Sequence, residues 1–433
     1  MLMISNSHRN MVIFRDAKSF LEECIVDNLE LMHKKIQHFV SVNWKKSFNE
    51  PQGVLKHKFL EPAAVYRAQL WDWDSYFCGL ALIDVYDDTA EYLKGCCLNF
   101  LDYQRKDGSV PYMINVANNM EALPEIDISE RDENCDINSV KPLLAQMALC
   151  VYRKTGEKDW IKNTYDKLNR HIGHWEDTQQ CENGLFVWRS YRGSGTDNHP
   201  ALYGRPLNSS AAVELNCFMY AEYKAMSEIS KLCGDLPKSE KYLEKSEKLA
   251  CDINKNMWDS IDGVYYHLDM LSAKPPLARQ DISWNVPLKF KTWTCFMPMY
   301  AGIAPKEYAK RMVEEHITNK DEFWSDFGIR TLAKNEPAYS VAETSNPSNW
   351  QGPIWIVSTY LVFKGLLNYG FYDKAELLCK NLLSNLCSDI DENGAMHEYY
   401  NPETGKSNIN LGFMNWNALA GLMVPELRKY GKK

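Results

Sequence analysis

The sequence predicts an all-α fold, an (α/α)6 barrel with short β-hairpins in its loops. Apolar residues recur with the period of an amphipathic helix along most of the 433 residues. The helical stretches come mainly in pairs joined by short turns, and strand-like patterns are few and local. No proline- or glycine-rich linker divides the chain, so we expect one domain over residues 1–433. A barrel accommodates a length that is large for a single core.

Twelve helices are expected from this periodicity. Their approximate bounds are 16–42, 74–87, 89–104, 138–154, 157–176, 208–231, 237–257, 290–303, 305–317, 352–369, 371–387 and 413–429. Gly370 lies between two of these helices and Asp235–Pro237 precedes another, as is typical of helix boundaries. Short strands are expected at 184–188, after an Asn-Gly turn, and at 263–268. Six such helix pairs would gather their loops around one funnel-shaped site.

Composition excludes several classes of partner. The formal net charge is −8, whereas nucleic acids and anionic membranes require a basic surface. No apolar run reaches membrane-spanning length, and the N-terminus lacks the apolar segment of a signal peptide. The 13 cysteines include no Cys-x-x-Cys pair, which indicates reduced core thiols and no zinc site. We therefore expect a cytoplasmic protein that needs neither a metal nor an organic cofactor.

Two carboxylates lie in turns rich in glycine and proline. Asp197 belongs to Gly193-Ser-Gly-Thr-Asp-Asn-His-Pro200, and Glu398 belongs to His397-Glu-Tyr-Tyr-Asn-Pro-Glu-Thr-Gly405. Glycoside hydrolysis requires such a pair, because one carboxylic acid protonates the leaving oxygen while one carboxylate activates water. Taken singly, an aspartate in a turn or a glutamate at a strand edge is commonly a capping residue.

Tryptophan–amide motifs accompany these carboxylates. Trp71-Asp-Trp-Asp-Ser75 opens a helix, and Asn349-Trp-Gln-Gly-Pro-Ile-Trp355 precedes another. Tryptophans stack on sugar rings, and amides and carboxylates hydrogen-bond sugar hydroxyls. The alternative for Asp72 and Asp74 is stabilisation of a helix N-terminus. The segment Gln104–Tyr112, taken by itself, has the pattern of an ordinary Asp-Gly turn.

Taken together and in this order, the motifs resemble the catalytic domains of glycoside hydrolase family 63. Members include mannosylglycerate and glucosylglycerate hydrolases and processing α-glucosidase I, and trehalases are more distant relatives. The resemblance runs from about residue 60 to about residue 425. The segments that carry it are 73–74, 107–111, 194–198, 213–216, 349–355, 398–405 and 412–416.

The resemblance implies a role for each candidate residue. It makes Asp197 the general acid and Glu398 the general base of an inverting α-glycosidase that acts on a small α-glucoside or α-mannoside. The motifs and the resemblance together predict the following substrate-binding residues: Trp71, Trp73, Asp74, Gln104, Asn198, Trp350, Gln351, Gly352, Trp355 and Trp416. Lys141 and Gln351 depart from the family pattern, which bears on the substrate and not on the reaction class.

Two other classes stay open on the sequence alone. Sugar epimerases and isomerases also use (α/α)6 barrels, but they rely on histidine pairs, and the ten histidines show no paired helical spacing. A non-catalytic carbohydrate-binding protein would not need both carboxylates in their motifs. The expected partner is a small carbohydrate, and self-association as a homo-oligomer is left open. An acidic aglycone such as glycerate would need a cation, for which the candidates are Arg67, Lys141, Arg192 and Arg205.

Overall fold

The computed structural model describes residues 28–62, 64–117, 138–270, 285–342 and 348–430. Within these ranges the chain forms twelve helices, so the prediction of a mainly helical fold is confirmed. The helices are α1 (28–43), α2 (Asp72–Leu82), α3 (Thr89–Asp102), α4 (Leu144–Thr155), α5 (Asp159–Gln179), α6 (Val213–Leu232), α7 (Leu236–Asn256), α8 (Met297–Tyr300), α9 (Lys306–Arg311), α10 (Ile356–Asn368), α11 (Tyr372–Asn393) and α12 (Ala420–Tyr430). Residues 16–27 of the first predicted helix lie outside the described residues.

Neighbouring helices pack around a closed ring. α4 packs against α6, α6 against α8, and α8 against α10. α10 contacts the 3-10 helix Trp416–Leu419 that leads into α12, and this 3-10 helix packs on α2. α3 contacts both α2 and α4, and it thereby completes the ring of contacts between α2 and α4. α7 packs on α6, and α11 packs on α10. One hydrophobic cluster, with members from α1 to α12, fills the interior.

Several helices begin later than their periodicity predicted. α4 starts beyond Pro142, because the residue that precedes a proline disfavours helical backbone. α6 follows strand β5 (Ser210–Ala211), and α10 follows strand β10 (Ile354–Trp355). The apolar residues in these leaders are buried by loop and strand packing, which a helical period alone does not distinguish. The leaders before α4 and α10 line the cavity described below, through Lys141 and Trp355.

The weakest predicted helix, 290–303, is mostly not α-helical. The 3-10 helix Trp293–Phe296 leads into α8, which has only four residues and carries Pro298 in its first turn. α9 is also short and passes into a π-helical turn at Met312–Ile317. Short helices with mixed hydrogen bonding depend on tertiary packing rather than on local propensity.

The strands are two to four residues long, and within the described ranges they form five small antiparallel sheets. Besides β5 and β10 they are β1 (Phe48–Asn49), β2 (Phe59–Leu60), β3 (Gln69–Trp71), β4 (Met113–Asn115), β6 (Trp258–Asp259), β7 (Val264–Tyr265), β8 (His267–Met270), β9 (Asn285–Leu288) and β11 (Tyr399–Tyr400). The predicted segment 263–268 appears as β7 and the start of β8, whereas 184–188 forms only isolated bridges. No helix in the described part of the chain is both long and apolar enough to cross a bilayer.

Candidate active site

A cavity of about 800 Å³ is bordered by the segments that begin or precede α2, α4, α6, α10 and α12. Ten of the twelve predicted site residues border it. They are Trp71, Trp73, Asp74, Asp197, Asn198, Trp350, Gln351, Trp355, Glu398 and Trp416. Residues that are up to 345 positions apart in sequence thus meet at one end of the helical ring, where loop residues are held by a rigid scaffold.

Glu398 lies immediately before β11. The antiparallel pairing of Trp355 with Tyr399 places it next to the start of α10. The residue is only 3% exposed. Its Oε1 accepts a hydrogen bond from the Tyr66 hydroxyl at 3.2 Å, and its Oε2 accepts one from the Asn410 amide. The carboxyl group is therefore fixed from two sides at the edge of the cavity.

Burial raises the pKa of Glu398 to about 7. The hydrogen bonds from Asn410 and Tyr66 act in the opposite direction, and the negative charge of Asp197 adds to the increase. A carboxyl group with this pKa changes its charge near neutral pH, which is the range in which a general base works best.

We expect Glu398→Gln to become more stable relative to the unmodified protein as the pH rises from about 5 to about 7. In the unfolded chain this carboxyl ionises near the usual glutamate pKa of 4.5, whereas in the folded chain it keeps its proton up to about 7. A raised folded-state pKa therefore removes stability across that window. The relative gain across this window should be about 3 kcal/mol. The hydrogen bond that glutamine cannot accept lowers the stability of the variant by about 1 kcal/mol at every pH and does not change this slope.

The measurement is the unfolding free energy of both proteins from denaturant titrations between pH 5 and pH 8. Glu392→Gln is the matched control, because Glu392 is exposed at the end of α11. A stability difference between Glu398→Gln and the unmodified protein that does not change with pH would contradict the burial of an ionisable group at this position.

Asp197 lies on a loop that passes directly over Trp73. Gly195 makes this approach possible: its φ is +75°, and a Cβ there would lie 2.8 Å from the Trp73 ring. Only glycine combines that backbone with that contact at low cost. Asp197 is partly buried, and its charge acts on both Tyr66 and Glu398. The loop therefore presents its carboxyl group to the same space that Glu398 borders.

Asn198 fastens this loop to the segment before α10. Its side-chain amide donates to the Asn349 side chain at 3.0 Å, and its side-chain oxygen accepts from the Trp350 backbone N–H at 2.6 Å. The Gln351 side chain donates to the Asn198 carbonyl oxygen at 3.0 Å. Asn198 and Gln351 border the cavity, but these contacts make them supports for Asp197 as well.

The two aspartates at the start of α2 have different environments. Asp72 forms a buried ion pair with Lys141 at 3.0 Å and accepts the Lys141 backbone N–H at 2.9 Å. Asp74 borders the cavity and accepts a hydrogen bond from the Asn415 amide. Burial, followed by the charge of Asp72, raises the pKa of Asp74 to about 8, while Lys141 and Asn415 oppose the increase. Burial thus favours the protonated form of Asp74, which can donate a hydrogen bond.

Four buried tryptophans form one cluster along the cavity. Trp350 and Trp355 stack with ring centroids 4.0 Å apart and planes at 9°. Trp73 meets Trp416 edge to face at 5.0 Å and lies 5.8 Å from Trp350. Contacts of this kind fix aromatic faces that a flat sugar ring can cover. The indole N–H of Trp416 is buried and has no partner among the described residues.

The structure does not bring Gln104 and Gly352 to the cavity, and the prediction of substrate contact is corrected for both. The Gln104 amide donates to the carbonyl oxygens of Gly108 at 3.2 Å and Lys167 at 2.8 Å, so that it ties a turn to α5. Gly352 packs beneath Tyr339, whose ring would lie 2.6 Å from a Cβ. Both residues are needed for the backbone that supports the cavity.

The four candidate cations differ in their contacts and in whether they border the cavity. Arg205 forms an ion pair with Asp269 at 2.6 Å. Lys141 is committed to its buried ion pair although it borders the cavity. Arg67 is exposed and does not border the cavity. Arg192 is exposed and borders the cavity beside Tyr191.

Sequence reasoning missed Tyr66, Asn410 and Asn415. Tyr66 is 332 positions away from the carboxyl group that it contacts. Asn410 lies between two recognised segments, and Asn415 lies inside one without standing out. Amide donors to a carboxylate have no local pattern, because the contact is created by loop packing. The separation of only 12 positions between Glu398 and Asn410 was a signal that the two residues could be close in space.

No histidine borders the cavity among the described residues. His199 accepts the Ala201 backbone N–H at 3.2 Å, and burial lowers its pKa to about 3. His397 donates to Asp389 at 3.0 Å and so fixes the turn before β11. Both histidines next to the candidate carboxylates are structural residues, and the histidine pair that an epimerase requires has no counterpart there.

Carboxyl groups and tryptophans around one cavity are an arrangement that suits the binding and hydrolysis of a sugar. Residues 67–417 match the family model described as "Mannosylglycerate hydrolase MGH1-like glycoside hydrolase domain". The chain belongs to this family, within glycoside hydrolase family 63, and is a glycoside hydrolase. The recognition made from the motifs is therefore confirmed.

Relatives and solved structures agree with this assignment. The chain is 23% identical to a mannosylglycerate hydrolase of Thermus thermophilus over 84% of its own length and 96% of the relative's length. It is 24% identical to a probable mannosyl-oligosaccharide glucosidase of Schizosaccharomyces pombe over 62% of its length, but this spans only 35% of that protein. A structure of the Thermus thermophilus family 63 enzyme in complex with glucose superposes with a TM-score of 0.66 at 18% identity, covering 91% of this chain and 100% of the other.

Proposed function

We propose that the protein is an inverting α-glycosidase with Asp197 as general acid and Glu398 as general base. The observation that carries this proposal is that both carboxyl groups border one cavity and interact electrostatically there. Single-displacement hydrolysis needs such a pair, one group to protonate the leaving oxygen and one to deprotonate water.

The fold supports the finer architecture of an (α/α)6 barrel built as a single domain. Contacts run from α4 through α6 and α8 to α10, the 3-10 helix Trp416–Leu419 links α10 to α2, and α3, α5, α7 and α11 pack on these helices. One continuous core spans the described residues. In such a barrel, the loops before the inner helices converge on a common axis, where the cavity lies.

We assign the roles of the two carboxyl groups from their motifs, which make Asp197 the acid and Glu398 the base. Two nearby carboxylates repel each other, which favours a state in which the pair holds one proton. Tyr66 and Asn410 donate hydrogen bonds to Glu398, and such bonds favour its ionised form, although burial raises its pKa to about 7. In the reactive form of the proposed enzyme, the proton of the pair is on Asp197 and Glu398 is ionised. This arrangement gives an acid for the leaving oxygen and a base for water.

The sugar bound next to these groups would be held by aromatic faces and a few polar contacts. Trp73, Trp350 and Trp416 offer rings along the cavity. A protonated Asp74 donates to a sugar hydroxyl, and the buried indole N–H of Trp416 offers a second donor. Donors that are buried and unpaired discriminate strongly between a hydroxyl and its absence.

We further propose that the substrate is a small α-glucoside or α-mannoside. A cavity of about 800 Å³ suits a disaccharide-sized molecule rather than a polymer. The Thermus thermophilus relative that is matched over nearly its full length is named a mannosylglycerate hydrolase, and a structure of the mannosylglycerate hydrolase from another strain of that organism holds glucose. If the leaving group is acidic, Arg192 at the border of the cavity is the residue that would bind it.

The experiment is a hydrolysis screen with α-glucosides and α-mannosides, including glucosylglycerate, mannosylglycerate and common disaccharides. The released sugar is measured by an enzyme-coupled assay. We expect turnover of at least one small α-glycoside, and none in an Asp197→Asn, Glu398→Gln double variant purified in parallel. Turnover that persists in the double variant would show that another site or a contaminant is responsible.

A further inference from the structure

Glu398 is held by a hairpin that folds back on it. The Asn401 N–H donates to Lys406 at 2.8 Å, the Asn408 N–H donates to Tyr399 at 3.0 Å, and the Glu398 N–H donates to Ile409 at 3.2 Å. This ladder leads from the strand after Glu398 to the residue before Asn410. It brings the Asn410 side chain to Oε2 of Glu398.

Asn410 has a backbone conformation that suits this contact. Its φ is +58°, and it is one of three non-glycine residues with positive φ in the described part of the chain. Asparagine tolerates this left-handed region better than most residues, but at a cost that the surroundings must offset. The chain turns at this point, and the amide is thereby aimed at the carboxyl group rather than at solvent.

The other polar groups that act on Glu398 include two acids. Tyr66 donates a hydrogen bond to Oε1 from the 3-10 helix Ala64–Tyr66. Asp197 on the loop before α6 opposes a negative charge on Glu398, and Asp74 at the start of α2 is electrostatically coupled to it. Among the described residues, no cation is found with the groups that shift the pKa of Glu398. Neutral donors must therefore stabilise its ionised form.

We propose that Asn410 is a positioning residue that holds the Glu398 carboxylate in the orientation and the charge state needed to take a proton from water. The proposal rests on the function of Glu398 proposed above. Asn410 occupies one carboxylate oxygen from the side of the hairpin, while Tyr66 occupies the other. Glu398 also borders the cavity, so the carboxyl group that these two bonds hold is at the site.

The segment that carries Asn410 also supplies an amide donor to a second carboxyl group. Five residues after Asn410, Asn415 donates its amide to Asp74, which also borders the cavity. The stretch between β11 and Trp416 thus supplies one amide donor to each of two buried carboxyl groups. A loop with a purely connecting role has no need for either contact.

The test is a direct titration of Glu398 in protein labelled with ¹³C at the glutamate side-chain carboxyl carbons. The Glu398 resonance is assigned by its absence in Glu398→Gln. Asn410→Gly removes the amide and retains the positive φ, which glycine adopts freely. Asn410→Asp keeps the shape of the side chain but replaces the amide donor with a second carboxyl group beside Glu398. Asn408→Ala is the matched control, since no side-chain hydrogen bond of Asn408 is present among the described residues.

We expect the titration midpoint of Glu398 to rise by about one pH unit in Asn410→Gly, because a hydrogen bond to a charged group is lost. It should rise at least as far in Asn410→Asp and stay unchanged in Asn408→Ala. The turnover of Asn410→Gly should be reduced most at low pH and should recover as the pH rises.

An unchanged midpoint in both Asn410 variants would overturn the proposal, as would a loss of turnover that is equal at every pH. These outcomes are separate from a failure of the proposed function. If Glu398→Gln retained activity, Glu398 would not be the base, yet the titration would still report whether Asn410 controls its ionisation.

Discussion

Glu398→Gln should lower kcat by about 10²–10⁴-fold, the contribution expected of a general base. The amide can keep a hydrogen bond to Tyr66 or Asn410, but it cannot accept a proton from water. The side chain is buried and of nearly equal size, so the fold should be retained. The measurement is kcat on the substrate that the hydrolysis screen identifies, at a pH above 7, where the unmodified base is ionised.

Glu392→Gln serves as the control for charge removal, because its side chain is exposed on α11. It should retain full activity. A Glu398→Gln enzyme that keeps more than about a tenth of the unmodified kcat would be incompatible with a general base at this position.

Asp197→Asn should produce a loss of similar size on natural substrates and a much smaller loss on aryl glycosides with acidic leaving groups. A good leaving group departs without protonation, so that the absence of the acid matters little. The measurement is the ratio of kcat/KM between the variant and the unmodified enzyme for a series of leaving groups. The loss should grow as the leaving group becomes more basic.

The leaving-group series contains its own control. The same series measured with Glu398→Gln should show a loss that does not depend on the leaving group in this way, because the base acts on water. If Asp197→Asn loses the same factor on every substrate, Asp197 is not the acid. Its contacts with the loop would then point to a structural role.

The fold was largely predictable because helical periodicity reports burial along one face. Helix bodies such as α5, α7 and α11 were found within a few residues. The starts of α4, α6 and α10 were predicted too early. A segment with a proline precedes α4 and a short strand precedes each of α6 and α10, and their apolar residues are buried by loop and strand packing rather than by a helix face. The leaders before α4 and α10 border the cavity through Lys141 and Trp355, so two of the stretches that the sequence predicted poorly lie at the site.

The residues of the site could be predicted from their motifs, but the pKa values and hydrogen bonds of these residues could not. Trp73, Asp197 and Glu398 could be named because each lies in a distinctive local pattern. The pKa of Glu398 depends on its burial, which raises it, and on hydrogen bonds from Tyr66, 332 positions away, and from Asn410, which lower it. The placement of Gln104 and Gly352 away from the cavity was likewise a matter of long-range packing.

The measurement that tests the central claim most directly is the anomeric configuration of the first product, followed by proton NMR immediately after mixing enzyme and α-linked substrate. A water activated by Glu398 on the face opposite the leaving group inverts the anomeric carbon. We therefore expect the β-sugar to appear first and the α-anomer to follow only by mutarotation. Initial release of the α-anomer would contradict an inverting pair of Asp197 and Glu398.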